Sequence, residues 1–413
     1  MPLRRTASHE DTAVRAYKYR LYPNREQAEL LHKTFGCARK VYNLLLSERL
    51  DLYRRYKDDP DELRKQKLST PAALKAEYSY LREVDSLALC NAQCNLEAAF
   101  SAFFSGRSAI PTFKKKRRAR LAYTTNNVSD SIRIDSGRLR LPKVGYIKIK
   151  RHRPMPEGSV IKSVTVSCTG SGKYYASILV ETTTETPYAH AIESVIGLDY
   201  SSKELYADSQ GASPEYPHYY RKGEGKLAKE QRKLSRKKKF SKNWHKQKRR
   251  VAKEHEKTAN RRKDFLDKLS YKLANEYDAV VVESIDMKTM SQGLRLGKST
   301  YDNGFGMFRN MLRYKLADRG KWLIEADGYY PSSKLCSVCG YKNAELTLSD
   351  RVWKCPSCGT ILDRDVNAAV NIRDEGIRIL GINNRGAHGD SLPGETLHAG
   401  MPAGNRKPPL LLI

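Results

Sequence analysis

The chain has 413 residues, of which 39% are hydrophobic and 30% charged, and an excess of Lys and Arg gives a net charge of +30. That length allows two to four domains with a substantial core, and so large a cationic excess points to a polyanionic partner, nucleic acid above all. No apolar export segment follows the polar start "MPLRRTASHEDTAVR", and no apolar run reaches the roughly 18 residues of a bilayer span, so neither export nor a membrane partner is expected.

Residues Ala16 to Leu21 alternate as a short strand, which Pro23 and Asn24 break. Asn24 and Gln27 have the spacing of a helix-capping pair. Beyond them Leu30, Leu31, Phe35, Ala38, Val41, Tyr42, Leu45 and Leu46 trace one face of a long helix, and helical patterning continues to about Phe104. Within it Cys90 and Cys94 are expected as buried thiols on one face, and Cys37 and Cys168 as small core residues. The text then changes to the basic "PTFKKKRR" and to short β-rich segments, "SIRID", "RLRLP", "YIKIK", "VIKSVTVSC" and "KYYASILVE". These predict a small barrel or sandwich over about residues 120–185. If the first strand belongs to it, the helices are an insertion. "ETTTETP" reads as a linker.

Next, Val195 to Leu198 predicts a buried strand ending in Asp199, with "ELYAD" pairing back as a hairpin. Residues 221–268 hold 21 Lys or Arg against six Asp or Glu in one predicted helical stretch, too one-sided for internal pairing, so an external anion is implied. Phe240, Trp244 and Phe265 interleave these charges. Ala279 to Val282 form a short apolar strand that delivers Glu283 at its end. A flexible stretch, "SQGLRLGKSTYDNGFG", precedes an amphipathic helix, "MFRNMLRYKLADRG", and a strand, "KWLIEAD". The Gly- and Pro-containing tail from Arg385 is expected to be poorly ordered.

Two constellations carry chemistry. Cys336-x2-Cys339 and Cys355-x2-Cys358, fifteen residues apart, have the spacing of a four-thiolate zinc ribbon. Gly340 and Gly359 follow the second cysteine of each knuckle. Such a site is closed and therefore structural. The second constellation is Asp199, Glu283 and Asp365. Singly, each acid has an ordinary structural use, Asp365 as a helix-start residue for instance. Together they suit a three-carboxylate site holding two Mg²⁺ ions about 4 Å apart for phosphodiester hydrolysis. An RNase H-like fold presents acids this way, from a hairpin strand, its neighbour and a later helix. Asp363 is expected to cap the helix or pair with Arg364, and Glu204, Asp208 and Asp286 are given no catalytic part.

The motifs "YKYRLYPNREQAELLHKTFGCARKVYN", "PTFKKKRRAR", "IGLDYSSKELYADSQG", "VVVESIDM", "PSSKLCSVCG", "RVWKCPSCG" and "DRDVNAAVNI" resemble, in order and over nearly the whole chain, the TnpB family of transposon-encoded RNA-guided DNA endonucleases, relatives of compact type V CRISPR effectors. The resemblance implies a multidomain α/β plus β-barrel fold: a wedge barrel (1–24 and 116–186), an inserted helical recognition domain (25–115), a RuvC nuclease domain (191–327 and 359–384), a zinc-ribbon target-nucleic-acid-binding domain (328–358) and a tail (385–413). Its catalytic acids map onto Asp199, Glu283 and Asp365. It further implies a guide RNA from the transposon end, held by the wedge and RuvC domains, and cleavage of double-stranded target DNA beside a short flanking motif at a single Mg²⁺-dependent site. By that resemblance "AYTTNN" is a candidate contact to the flanking duplex, and the 221–268 arm lies along heteroduplex or guide. A cytoplasmic, nucleoid-associated monomer of a prokaryote is expected. The competing readings are a nuclease-inactive RNA-guided repressor, a guide-independent transposase or resolvase, and a compact type V CRISPR effector.

Overall fold

The computed structural model describes residues 12–183, 191–293, 297–347 and 349–381. The chain divides into two compact units that part between residues 185 and 186.

The first unit opens with β1 (Thr12–Tyr22), longer at both ends than its alternating centre suggests. Asn24 then caps α1 (Arg25–Tyr56): its side chain accepts from the Gln27 N–H while the Gln27 side chain accepts from the Asn24 N–H, a reciprocal capping box. Two short helices follow, α2 (Pro60–Lys65) and α3 (Pro71–Glu77), each with proline in its first turn, and then α4 (Ser86–Phe104). Helix α1 buries Leu31, Phe35, Ala38, Val41, Tyr42, Leu45 and Leu46, and α4 buries Ala88, Leu89, Ala92, Leu96 and Phe100. Cys90 and Cys94 do not join them. Both are exposed, because the buried stripe of α4 passes through Leu89, Ala92 and Leu96, one residue from Cys90 and two from Cys94. Cys37 is buried as expected.

After the helices come β2 (Leu121–Asn126), β3 (Arg133–Asp135), β4 (Arg138–Leu141), β5 (Gly145–Lys150), β6 (Val160–Cys168) and β7 (Tyr174–Thr183). With β1 they form a seven-stranded antiparallel sheet in the order β2-β6-β7-β1-β5-β4-β3. Strand β1 is central, pairing with β7 from Thr12↔Thr183 to Leu21↔Tyr174 and with β5 on its other edge. The helices therefore interrupt the sheet in sequence. Alternation drives the layering: Tyr17, Tyr19 and Leu21 face the core, whereas the intervening Lys18 is exposed, Arg20 is half-buried and Tyr22 beyond them is exposed.

The second unit is built on a four-stranded sheet, β11-β10-β8-β9, from β8 (Val195–Ser201), β9 (Leu205–Asp208), β10 (Ala279–Glu283) and β11 (Trp322–Ala326). Strands β8, β10 and β11 are parallel and β9 returns antiparallel from β8. Between β9 and β10 lie α5 (Tyr219–Ser235) and α6 (Lys242–Glu276). The basic stretch is thus two packed helices, not one, broken at residues 236–241, where Phe240 takes a left-handed φ of 68°. Phe265 packs edge-on against Tyr216 and Tyr219, and Phe240 lies beside Trp244. The segment expected to be flexible takes in the end of α7 (Met287–Gly293), all of α8 (Gly297–Asn303) and the start of α9 (Phe305–Ala317). Its residues 294–296 and the tail from Arg385 lie outside the described residues.

A small hairpin, β12 (Val352–Lys354) and β13 (Ile361–Asp363), leads into α10 (Arg364–Ile379). One face of the four-stranded sheet, Ile196, Leu198, Val280 and Val282, packs on α6 and α9 through Leu266, Leu273, Phe305, Phe308 and Leu312. The opposite face carries Val195, Val281 and Ile324 and meets Ile372 of α10. Among the described residues no helix is long and apolar enough to cross a membrane.

Candidate active site and cysteine cluster

Strand pleating decides where the acids point. Val281 pairs with Gly197 and Val282 with Leu198, so Glu283 and Asp199 come next in line at the carboxyl ends of adjacent parallel strands. Two residues beyond Val281 and Gly197, both acids project from the face that α10 covers. The carboxyl ends of parallel strands are where open α/β sheets place their ligands.

Helix α10 approaches that face unusually closely. A Cβ at Gly197 would lie 2.1 Å from the Ala369 carbonyl oxygen, and one at Gly376 would lie 2.2 Å from a Val281 methyl. Only hydrogen at these two positions lets the helix backbone reach the sheet, and this contact sets how far the first turn of α10 stands from Asp199. Asp363 caps that turn by accepting from the N–H groups of Asp365 and Val366 at 3.0 and 2.9 Å. Asp365 is the acid left to face outward from the turn.

Electrostatics ties the three acids together. Burial holds the Asp199 carboxyl well above the usual carboxylate range, with further upward pushes from the charges of Glu283 and Asp365, partly offset by Arg364. Burial also raises Glu283. The Asp365 carboxylate is instead gripped by arginines: Arg351 reaches its two oxygens at 3.0 and 3.3 Å, and Arg364 lies at 3.3 Å. Among the described residues the acids are not gathered at metal-ligand spacing, and the cysteines are the one group that is. The repulsion that Asp199 meets from Glu283 and Asp365, added to the desolvation of Asp199 and Glu283, is what a hard cation would relieve. Asp208 has a purely structural use, its carboxylate accepting from the N–H groups of Gln210 and Ala212 in a tight turn.

The four cysteines converge as their spacing predicts. Cys336 Sγ lies 3.7 Å from Cys358 Sγ and Cys339 Sγ 3.6 Å from Cys355 Sγ, with all four within 4.8 Å of one another. A tetrahedron with metal–sulfur bonds of about 2.3 Å has edges of about 3.8 Å, so the cluster is compatible with zinc. The knuckles repeat each other: Gly340 and Gly359 share a φ of 74°, and their N–H groups donate to Cys336 and Cys355. Hydrogen bonding with Thr360 lowers the Cys358 thiol to about 6, toward the thiolate that a metal needs. Burial instead pushes the Cys336 thiol up to about 11, a cost that a bound metal would have to offset.

Sequence reasoning missed two residues that join this cluster to the acids. Asn367 and Asn371, one turn apart on α10, are buried. The Asn367 carbonyl accepts from the Ser337 N–H at 2.9 Å, and both side-chain amides donate to the Leu335 carbonyl at 2.7 Å. Asn371 also donates to Ser332. The first knuckle therefore hangs on the helix that carries Asp365. The available signal was two asparagines, poor helix formers, on one face of a helical run.

Comparison with known proteins bears on the whole arrangement. A protein of Streptomyces pristinaespiralis named "Putative RNA-guided DNA endonuclease" is 38% identical over 366 residues, 88% of this chain and 89% of its own. The chain belongs to the TnpB family. Family models match residues 177–293 (described as "Probable transposase"), 305–372 (Cas12f1-like TNB domain) and 14–58 (a helix-turn-helix domain). In this TnpB-family protein the last region is one strand and one unbroken helix. InsQ of Escherichia coli K12, carrying the same endonuclease description, is 31% identical across 89% of this chain and 93% of its own. The solved Cas12f1–sgRNA–target DNA complex shares the fold with a TM-score of 0.53 at 14% identity, covering 88% of this chain and 99% of the Cas12f1 chain. The fold is thus Cas12f-like multidomain α/β with a TNB domain and a four-cysteine cluster.

Proposed function

We propose that this TnpB-family protein is an RNA-guided endonuclease that cleaves double-stranded DNA beside a short flanking motif, using Asp199, Glu283 and Asp365 in one RuvC-type, RNase H-like site. The observation that carries this reading is the placement of Asp199 and Glu283 at the carboxyl ends of the adjacent strands β8 and β10, where burial and the charges of Glu283 and Asp365 raise the Asp199 carboxyl, in a chain whose relatives carry the endonuclease name. Bound Mg²⁺ would supply polarisation of the scissile phosphodiester and a metal-activated water. Asp199 and Glu283, desolvated and on rigid strands, would hold the cations. Asp365, on the capped first turn of α10, would close the site from the opposite side. Zinc at Cys336, Cys339, Cys355 and Cys358 would be structural. The wedge sheet and the basic helices α5 and α6 would hold a guide RNA through its backbone, leaving sequence reading to base pairing.

The test is purification with RNA co-expressed from the locus, sequencing of that RNA, and Mg²⁺-dependent cleavage of a matching plasmid library. Asp199→Ala, Glu283→Ala and Asp365→Ala are each expected to abolish cutting while retaining RNA. Wild-type rates in all three would refute the site. A second reading, a compact type V CRISPR effector, draws on the likeness of fold to Cas12f1. Co-purified RNA bearing array repeats, and not a transposon end, would select it.

A further inference from the structure

Tyr329 is 96% exposed, more than any other large apolar or aromatic side chain among the described residues. A lone exposed ring is ordinary where the backbone beneath it is loose. Here the backbone is clamped on both sides. Ala326, the last residue of β11, pairs with Glu283, and its carbonyl accepts from the Ser284 N–H at 2.9 Å. Gly328 packs so closely on Ser284 that a Cβ there would stand 2.7 Å from the Ser284 carbonyl oxygen. The Asp327 carboxylate accepts from the Tyr329 N–H at 2.9 Å and the Asp327 carbonyl from the Tyr330 N–H at 3.0 Å, which closes a turn. On the far side, the Ser332 carbonyl accepts from Asn371 of α10 at 2.7 Å. Tyr329 is therefore held between the strand end that carries Glu283 and the helix that carries Asp365, with its ring turned to solvent.

Resting on the nuclease reading, we propose that Tyr329 is a substrate-binding residue of the candidate site, whose ring stacks on an unpaired base of the strand to be cut. The acids beside it repel the phosphates of that strand, so a hold that does not depend on charge is needed there. Every base offers a π-face to an aromatic ring whatever its identity, so the contact adds no sequence preference. A base within a duplex has its faces covered by its neighbours, and the contact therefore selects a strand that has been opened at this point. Through the turn and Ser284 it fixes the stacked nucleotide relative to Glu283.

The test uses the guide complex with matched DNA under single-turnover conditions. Tyr329→Ala is expected to slow cutting roughly five- to hundredfold, the range for one base–aromatic stack. Tyr329→Phe should recover most of that loss, because the ring face is kept. Neither change should move the melting temperature, since the ring packs on almost nothing in the protein. An abasic site walked along the strand through the cut should slow wild type at one position, and at that position leave Tyr329→Ala no slower than it already is. Wild-type rates in Tyr329→Ala, or abasic effects equal in the two proteins at every position, overturn the proposal. A readout without cutting comes from 5-iododeoxyuridine placed in the same strand and irradiated in complex with the Asp199→Ala protein. The adduct is expected on Tyr329, and adducts only on other residues overturn the contact. A wild type that forms the adduct but does not cut would instead overturn the nuclease reading and leave the base contact standing.

Discussion

Asp199 is costly to the protein that contains it. Its carboxyl and that of Glu283 are raised in the folded state, so the stability they contribute is present below the unfolded carboxylate pKa and is lost as pH rises through the folded values. The metal-free protein should therefore melt at a lower temperature at pH 8 than at pH 5. Asp199→Asn should raise the pH 8 melting temperature and shrink that difference to the part that desolvation of Glu283 contributes, and calorimetry in chelator across this range checks both. Mg²⁺ should stabilise wild type more at pH 8 than at pH 5, and Asp199→Asn hardly at either. Asn367 illustrates the opposite case, a buried polar group that is fully used. Asn367→Ala strips the Ser337 N–H of its partner at a cost of about 1–3 kcal/mol. It should also speed zinc release to a chromogenic chelator, whereas the exposed Cys94→Ser should leave that rate alone.

At the scale of elements, the junction of α10 with β8 and β10 is governed by two glycines. Gly376→Ala drives a methyl into Val281, an overpacking cost of about 1–3 kcal/mol. Combination with Val281→Ala should recover much of that loss, as a double-mutant cycle in urea would measure. Gly197→Ala meets a helix carbonyl, which cannot rotate away, so it should cost more and find no single-site rescue. Most elements were legible in the sequence. Alternation marked the strands around "YIKIK" and "VTVSC", the apolar stripe marked α1, and Asn24 with Gln27 marked its start. The cysteine knuckles were legible because their geometry is local. What escaped depended on residues distant in the chain meeting in space: the burial side of Cys90 and Cys94, the grip of Asn367 on Leu335 and Ser337, and the Arg351 contact to Asp365. The break between α5 and α6 escaped for another reason: its start signal, Ser241, whose side chain caps α6, comes just after a run of lysines and Phe240 that itself carries no turn signal.

For the molecule as a whole, charge is the dominant property. The net +30 and the exposed loop of Lys237, Lys238 and Lys239 between α5 and α6 predict binding of the guide dominated by counterion release. Log affinity for locus RNA should fall linearly with log salt. Replacing the three lysines by alanine should lower that slope by about two if they meet phosphates, with little change in melting temperature. An unchanged slope would move the RNA contact elsewhere.

The central position of β1 has a consequence during synthesis. Its hydrogen-bonding partner β7 ends at Thr183, so the first strand to leave the ribosome waits for nearly the last residue of the unit before both its edges are satisfied. Helices α1 and α4, whose contacts are nearer in sequence, can pack while β1 remains an open edge. A pause in translation within the helical insertion would leave that edge exposed to other nascent chains, so the yield of soluble protein should depend on elongation speed through it.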